Sequence, residues 1–225
     1  MKGNGIKVVK RFYFQDGERL YPEGGYDYIS KPIDNLKPHI FQVDLNGKEG
    51  MVTEDNEEVI PLGDFTGIGH LLVRLGEQFY FSVYKRNDKN KSLKGIIRLE
   101  KKDDKWTYTV VVPCEWKDTS WSVGQDGWLK VYPDTCDDRV GLVNLITGVK
   151  IAPVYDQIEE FENGLAPVGI ITKKVDGRNI GIKHIFRYYD WGMINEQGEL
   201  VVRIRYPDEE FEKIKSELIA KYGKK

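Results

Sequence analysis

Short apolar runs separated by polar turns extend along most of the chain, and this pattern predicts β-strands. Turn residues follow many of the runs, as at Asp16-Gly17, Asp55-Asn56, Thr147-Gly148 and Gln197-Gly198. Asp, Asn and Gly tolerate the left-handed backbone of tight hairpins, so the runs on either side of each turn predict a pair of antiparallel strands. A proline near the end of the second strand stops the pairing or marks an edge, because proline donates no ladder hydrogen bond. These prolines are Pro61, Pro113 and Pro153.

The same pattern recurs about every 45 residues: a glycine, two apolar residues, a polar turn and a second apolar run. The leading glycines, 45, 46 and 51 residues apart, are Gly50, Gly95, Gly141 and Gly192. A bend such as Tyr155-Asp156-Gln157-Ile158 and a third strand before the next glycine complete the copy. We therefore expect degenerate β repeats over residues 1–206, with copies that begin near 11, 50, 95, 141 and 192. A sheet motif of this size buries its apolar face against its neighbours.

Two segments depart from the repeat. In the copy that begins at Gly50, the apolar residues Phe79, Phe81 and Val83 alternate with their neighbours, which predicts an extra strand. After Pro207 the period becomes helical, with acidic residues in the first turn and an apolar stripe. The stripe consists of Phe211, Ile214, Leu218 and Tyr222, widened by Ile219. We predict that residues 207–225 form a helix that caps the last copy; a partner-binding helix is the alternative.

Two stretches resemble the WG repeat. Trp191-Gly192-Met193-Ile194-Asn195-Glu196-Gln197-Gly198 looks like the opening of such a repeat, and residues 141–166 resemble a nearly complete one. Only the last copy keeps tryptophan before the glycine, since the others carry Glu49, Lys94 and Val140 there. The resemblance implies a bacterial protein with a repeat architecture and no assigned chemistry.

The expected fold class is mainly β, with antiparallel three-stranded repeats stacked into an extended or curved assembly and a C-terminal α-helix. A small closed array resembling a β-propeller is the alternative, because propeller blades also contain about 45 residues.

Few residues suit catalysis or metal binding. The three histidines are scattered, and neither Cys114 nor Cys136 has a second ligand residue at the spacing of a metal site. The sequence also contains no nucleophile elbow and no P-loop. The densest acidic cluster, Asp134–Asp138, lacks the spacing of a calcium loop. We predict no enzymatic activity and no cofactor. The N-terminus has no long apolar run and no stretch approaches the length of a membrane span, so a cytoplasmic location is expected.

Aromatic side chains form the best candidate binding surface. The members are Trp106, Trp116, Trp121, Trp128 and Tyr132. Exposed aromatic residues in a polar loop stack on sugars or anchor protein partners, whereas buried ones would fill the core of a degenerate copy. The formal charge of −2 does not favour nucleic acid, in spite of the basic run Lys85–Lys91. The sequence predicts a scaffold that binds another protein, and the alternative is a glycan- or peptide-binding module centred on the tryptophan-rich region 106–132.

Overall fold

The computed structural model describes residues 26–30, 32–33, 36, 39–55, 57–120, 122–124, 126–135, 139–179 and 182–224. The first part of the copy predicted to begin near residue 11, up to residue 25, lies outside the described residues, and so do Trp121 and Cys136. The chain divides into two compact units, Met1–Glu115 and Trp116–Lys225.

The first unit contains antiparallel strands in two ladders. The strands are β1 (Tyr28–Ile29), β2 (Ile40–Leu45), β3 (Lys48–Thr53), β4 (Glu58–Phe65), β5 (Gly67–Leu75), β6 (Gln78–Arg86), β7 (Ser92–Lys102) and β8 (Lys105–Thr119). One sheet has the order β1-β2-β3-β4, and in the other ladder β5, β6, β7 and β8 are neighbours in chain order. The last residues of β8 belong to the second unit. The extra strand predicted from Phe79, Phe81 and Val83 is β6, which pairs with β7.

The second unit contains the remaining strands and the helix. Its elements are β9 (Trp128–Pro133), β10 (Val140–Asn144), β11 (Lys150–Tyr155), β12 (Gln157–Ile158), β13 (Leu165–Asn179), β14 (Ile182–Asn195), β15 (Leu200–Pro207) and α1 (Asp208–Tyr222). The end of β8 pairs with β9, followed by β10 and β11, and the remaining sheet has the order β12-β13-β14-β15. Mainly antiparallel β structure with a C-terminal helix is therefore confirmed. In the described part of the chain no sheet closes on itself, so the alternative of a propeller-like array is not found.

The four leading glycines occupy equivalent positions, and the next strand passes directly over each one. A Cβ atom on Gly50, Gly95, Gly141 or Gly192 would lie 2.8, 2.6, 2.7 or 2.5 Å from a backbone carbonyl oxygen of that strand. The register of β11 illustrates the cause: Val140 pairs with Tyr155 but Leu142 pairs with Ile151, so β11 bulges opposite Gly141. Only glycine allows two backbones to approach this closely. The four copies therefore share this close contact between the glycine and the next strand, even where they share few other residues.

The aspartates of the predicted bends also have matching contacts. The amide of Asp27 donates to the carbonyl of Asp44 at 2.8 Å, and the amide of Asn46 donates to Asp27 Oδ2 at 2.6 Å. In the second unit the amide of Asp156 donates to the carbonyl of Gly169. The amide of Ile171 donates to Asp156 Oδ2 at 2.8 Å. Each aspartate therefore binds the backbone next to its bend, through its own amide and through its carboxylate.

Successive copies interlock through their third strands. The copy that begins at Gly95 consists of β7, β8 and β9, yet β9 pairs with β10 of the following copy. In the same way, β13 lies in the copy that begins at Gly141, but its first residues pair with the copy that begins at Gly192: Leu165 pairs with Asn195 and Val168 with Gly192. Because each third strand completes the sheet of the next copy, no copy can satisfy all its backbone hydrogen bonds alone.

Each unit has its own apolar core. In the first unit Ile40, Met51 and Ile97 are fully buried members of the larger cluster. In the second unit Ile158 and Val168 belong to one cluster, while another lies beneath the helix. Central strands are buried on both faces, since residues 79–83 of β6 and 140–144 of β10 are buried without interruption.

The helix packs against the last copy. Phe211 is fully buried, and Ile219 lies in the same cluster with Trp191 and Met193. Tyr222 is 43 % exposed and does not belong to the buried stripe that the sequence predicted. Among the described residues, no helix combines the length and apolar character needed to cross a membrane.

Candidate binding groove of the second unit

One face of β9 carries an alternating set of half-buried residues, Trp128, Lys130 and Tyr132. Successive side chains of a strand point to opposite sides, so these three share a face while Leu129 and Val131 are fully buried on the other. Trp128 and Tyr132 pack against the core of the second unit, and their remaining surface faces two clefts.

The first cleft lies at the Trp128 end of β9 and has a volume of about 580 Å³. We call it the aromatic cleft; its lining residues are Ser120, Ser122, Gly124, Asp126, Trp128, Lys130, Leu142, Glu159, Glu160 and Phe161. The Trp128 and Phe161 rings are stacked, with centroids 4.8 Å apart and planes inclined by 25°. Apolar surface with a few polar groups around it, at this volume, is typical of binding pockets.

The loop between β8 and β9 forms one rim of the aromatic cleft and is held by hydrogen bonds. The side-chain amide of Asn144 donates to the carbonyl of Asp126 at 3.0 Å, and the Leu145 amide donates to the carbonyl of Gly127 at 2.9 Å. Gly127 has a φ of +86°, a conformation that favours glycine. Since its backbone is tied to the turn after β10, this rim is formed before any ligand binds.

The second cleft, at the Tyr132 end of β9, has a volume of about 410 Å³. We call it the basic cleft; it is lined by Lys117, Asp118, Lys130, Tyr132, Pro133, Arg139, Val140, Asp156, Gln157, Ile158 and Arg187. The Arg139 guanidinium donates to the carbonyl of Val154 at 2.7 Å and lies 3.5 Å from the Asp156 carboxylate. Burial, assisted by the charge of Asp118, raises the pKa of Tyr132, so this phenol stays neutral at physiological pH. Lys130 lines both clefts, which are therefore neighbours along β9, and we call the pair the groove.

The structure distributes the predicted aromatic surface unevenly. Trp128 and Tyr132 both line the groove. Trp116 lies in the second unit but lines neither cleft; it is half-buried, and its indole nitrogen is buried without a partner among the described residues. Trp106 belongs to the first unit, where it packs edge-to-face on Phe79 with centroids 5.9 Å apart. Trp121 lies outside the described residues.

Several lining residues gave no signal in the sequence. Phe161, Glu159 and Glu160 lie about 30 residues from Trp128 in the sequence, in a segment without a recognisable binding motif. Lys130 is a single polar residue within an apolar run. Strand alternation places Lys130 beside Trp128, but no local pattern predicts that Phe161 stacks on that ring.

The described thiol and two of the histidines belong to the first unit. Cys114 is a free, half-buried thiol in the first unit, and burial raises its pKa. His39 and His70 also belong to the first unit. In the described part of the chain, no group of three His, Cys, Asp or Glu side chains has the geometry to hold a metal ion.

The comparison with protein families identifies the repeat. The family model of the WG containing repeat matches residues 141–170 and 191–208. Residues 141–208 therefore contain WG repeats. The matched residues include Phe161 and both glutamates of the aromatic cleft, whereas β9 lies before them. The search of curated proteins gave no match.

The tryptophan of the WG pair has a structural role in the last repeat. Trp191 is 7 % exposed, stacks on Phe211 with centroids 5.5 Å apart, and donates from Nε1 to Asp208 Oδ1 at 2.7 Å. The residues at the same position of two other repeats, Lys94 and Val140, are buried as well. The WG glycine therefore permits the strand crossing, and the residue before it points into the protein.

Proposed function

We propose that this WG-repeat domain is a non-enzymatic module that binds an extended segment of another protein in the groove along β9. The stacked pair of Trp128 and Phe161 at the aromatic cleft carries the proposal. Aromatic residues supply most of the binding energy at protein interfaces when polar residues surround them and exclude water. Ser120, Ser122 and Asp126 provide such a polar rim here.

The shape of the groove supports an extended ligand. Its two clefts follow one face of β9 and are joined at Lys130. A peptide that lies along a strand presents alternate side chains to it, which suits two pockets placed in series. A sugar would need an open aromatic face, and Trp128 is half-buried with Phe161 stacked on it. We therefore favour a peptide segment over a glycan.

The chemistry of the groove supports binding without catalysis. Among the residues that the structure describes, the lining includes no histidine and no cysteine. Ser120 donates its hydroxyl hydrogen to the carbonyl of Ser122 at 2.8 Å, so it has no base to activate it as a nucleophile.

Selection from a displayed library of random 12-residue peptides tests this proposal. The full-length chain is the bait, and fluorescence polarisation measures the affinity of the enriched peptides. Replacing Trp128 by alanine should weaken binding at least about tenfold, the size of a hot-spot effect. Ser122→Trp should weaken it as well, because Ser122 is an exposed lining residue and a large side chain there would fill the aromatic cleft without disturbing the core.

Tyr28→Ala is the matched control, since Tyr28 is an aromatic residue of the first unit with 57 % exposure. This variant should bind as the wild type does. Circular dichroism establishes that each variant is folded. The proposal is wrong if no peptide is enriched, or if the enriched peptides bind the Ser122→Trp variant with unchanged affinity.

A further inference from the structure

The two ends of the groove carry opposite charge. The aromatic cleft has three carboxylates and one ammonium group, from Asp126, Glu159, Glu160 and Lys130. The basic cleft has four cationic and two anionic side chains, from Lys117, Lys130, Arg139, Arg187, Asp118 and Asp156. The charges of the described lining residues therefore sum to −2 at the Trp128 end and to +2 at the Tyr132 end, with Lys130 counted in both.

Some of these charges have no partner in the described part of the protein. The carboxylates of Asp126 and Glu160 make no hydrogen bond or ion pair there, whereas Glu159 is bound by the ammonium group of Lys215. At the other end, the ammonium groups of Lys117 and Lys130 also make no such contact. Each end thus holds two charges of one sign that a ligand can neutralise.

The spacing of the two ends matches an extended peptide. Trp128 and Tyr132 are four residues apart on β9, which corresponds to about 13 Å along a strand. In an extended ligand, side chains four positions apart lie on the same side and are separated by about the same distance. The aliphatic part of a basic side chain at the first end would also pack on the remaining apolar surface of Trp128.

We propose that the groove selects an extended peptide with a Lys or Arg side chain four residues from an Asp or Glu side chain. The basic side chain binds beside Asp126, Glu160 and Trp128. The acidic side chain binds between Lys117 and Lys130. This inference rests on the proposed peptide-binding function and adds the charge pattern of the ligand. Opposite charges placed in this way set the register of the peptide and exclude segments of the wrong pattern.

Synthetic fluorescein-labelled peptides test the pattern. On one neutral background of alternating serine and leucine, they carry Lys and Glu four positions apart, in both orders because the charges do not set the chain direction. Control peptides replace one or both charges by glutamine, or place the two charges on adjacent residues. One order of the four-residue spacing should bind the full-length chain at least about tenfold more tightly than the uncharged peptide, and this advantage should fall as salt rises.

Charge reversal in the protein provides the second arm. Glu160 and Lys117 are both exposed, so Glu160→Lys and Lys117→Glu leave the core unchanged. Each variant should bind the Lys/Glu peptide at least about tenfold more weakly. Lys117→Glu should regain affinity for the peptide in which Lys replaces the Glu.

The outcomes separate this inference from the proposed function. If charged and uncharged peptides bind equally and both need Trp128, the charge pattern is wrong and the peptide-binding function stands. If charge reversal changes affinity but the peptide with adjacent charges binds equally well, the four-residue spacing is wrong. If no peptide binds, charged or uncharged, both proposals are overturned.

Discussion

Replacing Gly95 by alanine should destabilise the first unit strongly, because the new Cβ would meet backbone. It would lie 2.6 Å from the carbonyl oxygen of Val112, 2.9 Å from the amide nitrogen of Cys114 and 2.8 Å from its sulfur. Non-bonded heavy atoms are most favourable at about 3.5–4.0 Å, so β8 would have to move away by several tenths of an ångström. A backbone cannot relieve this contact by changing rotamer, as a flexible side chain would.

The expected loss in the free energy of unfolding is about 3 kcal/mol, at the upper end of the usual cost of overpacking. Alanine also reduces the entropy of the unfolded chain, which offsets about 0.4–1 kcal/mol of the strain. Since about 1 kcal/mol shifts the melting temperature by roughly 2–4 °C in a chain of this size, the melting temperature should fall by about 6–12 °C. Urea denaturation followed by far-ultraviolet circular dichroism measures the free energy directly.

Gly67→Ala is the matched control in the same unit. Its Cβ would lie 3.5 Å from the ring of Tyr84, an ordinary contact, and Gly67 does not have the positive φ that disfavours alanine. This variant should stay within about 0.5 kcal/mol of the wild type or be slightly more stable. If Gly95→Ala and Gly67→Ala have the same stability, the close crossing of β8 over Gly95 is not what requires glycine there.

Two further substitutions test contacts outside the groove. Trp191→Phe removes the hydrogen bond to Asp208 and part of the stacking on Phe211. We expect the free energy of unfolding to fall by about 1–2 kcal/mol and limited proteolysis to release the helix earlier. Unchanged proteolysis would contradict this. Tyr108→Phe removes the hydrogen bond of the Tyr108 hydroxyl to the Asp64 carboxylate. Burial, followed by that bond, raises the pKa of Tyr108 to about 12, above the value of about 10 in an unfolded chain. Its neutral form therefore stabilises the fold fully below about pH 10 and loses this effect as the pH rises towards 12, so the stability advantage over Tyr108→Phe should shrink between urea titrations at pH 8 and pH 11. A constant difference would refute the assignment.

Local patterns predicted the strands and turns well because a strand and a hairpin are determined by neighbouring residues. Gly148 and Gly198, for example, have φ values of +75° and +81°, the left-handed conformation that the turn pattern predicted. The alternation at Phe79, Phe81 and Val83 likewise corresponds to β6. Four of the five predicted copies have glycine in the leading position, because the close crossing tolerates no side chain there.

The binding surface was predicted only in part, because residues that are near in the chain are separated in the structure. Trp106 and Trp128 lie 22 positions apart, but Trp106 packs in the first unit and Trp128 in the second. Phe161 is farther from Trp128 in the chain, yet their rings are stacked. Aromatic content alone could not tell these two situations apart.

The sequence by itself determined the mainly β class, the spacing of the repeats, the turns and the C-terminal helix, since all of these depend on residues within a few positions of one another. Only the tertiary structure decided which aromatic residues line a groove, and which charges lie at its two ends. Strand pairing between successive copies brings Trp128, Phe161 and Glu160 together, and the register of that pairing depends on contacts across dozens of residues. A short-range sequence pattern does not indicate such long-range contacts, so the groove is apparent only in the tertiary structure.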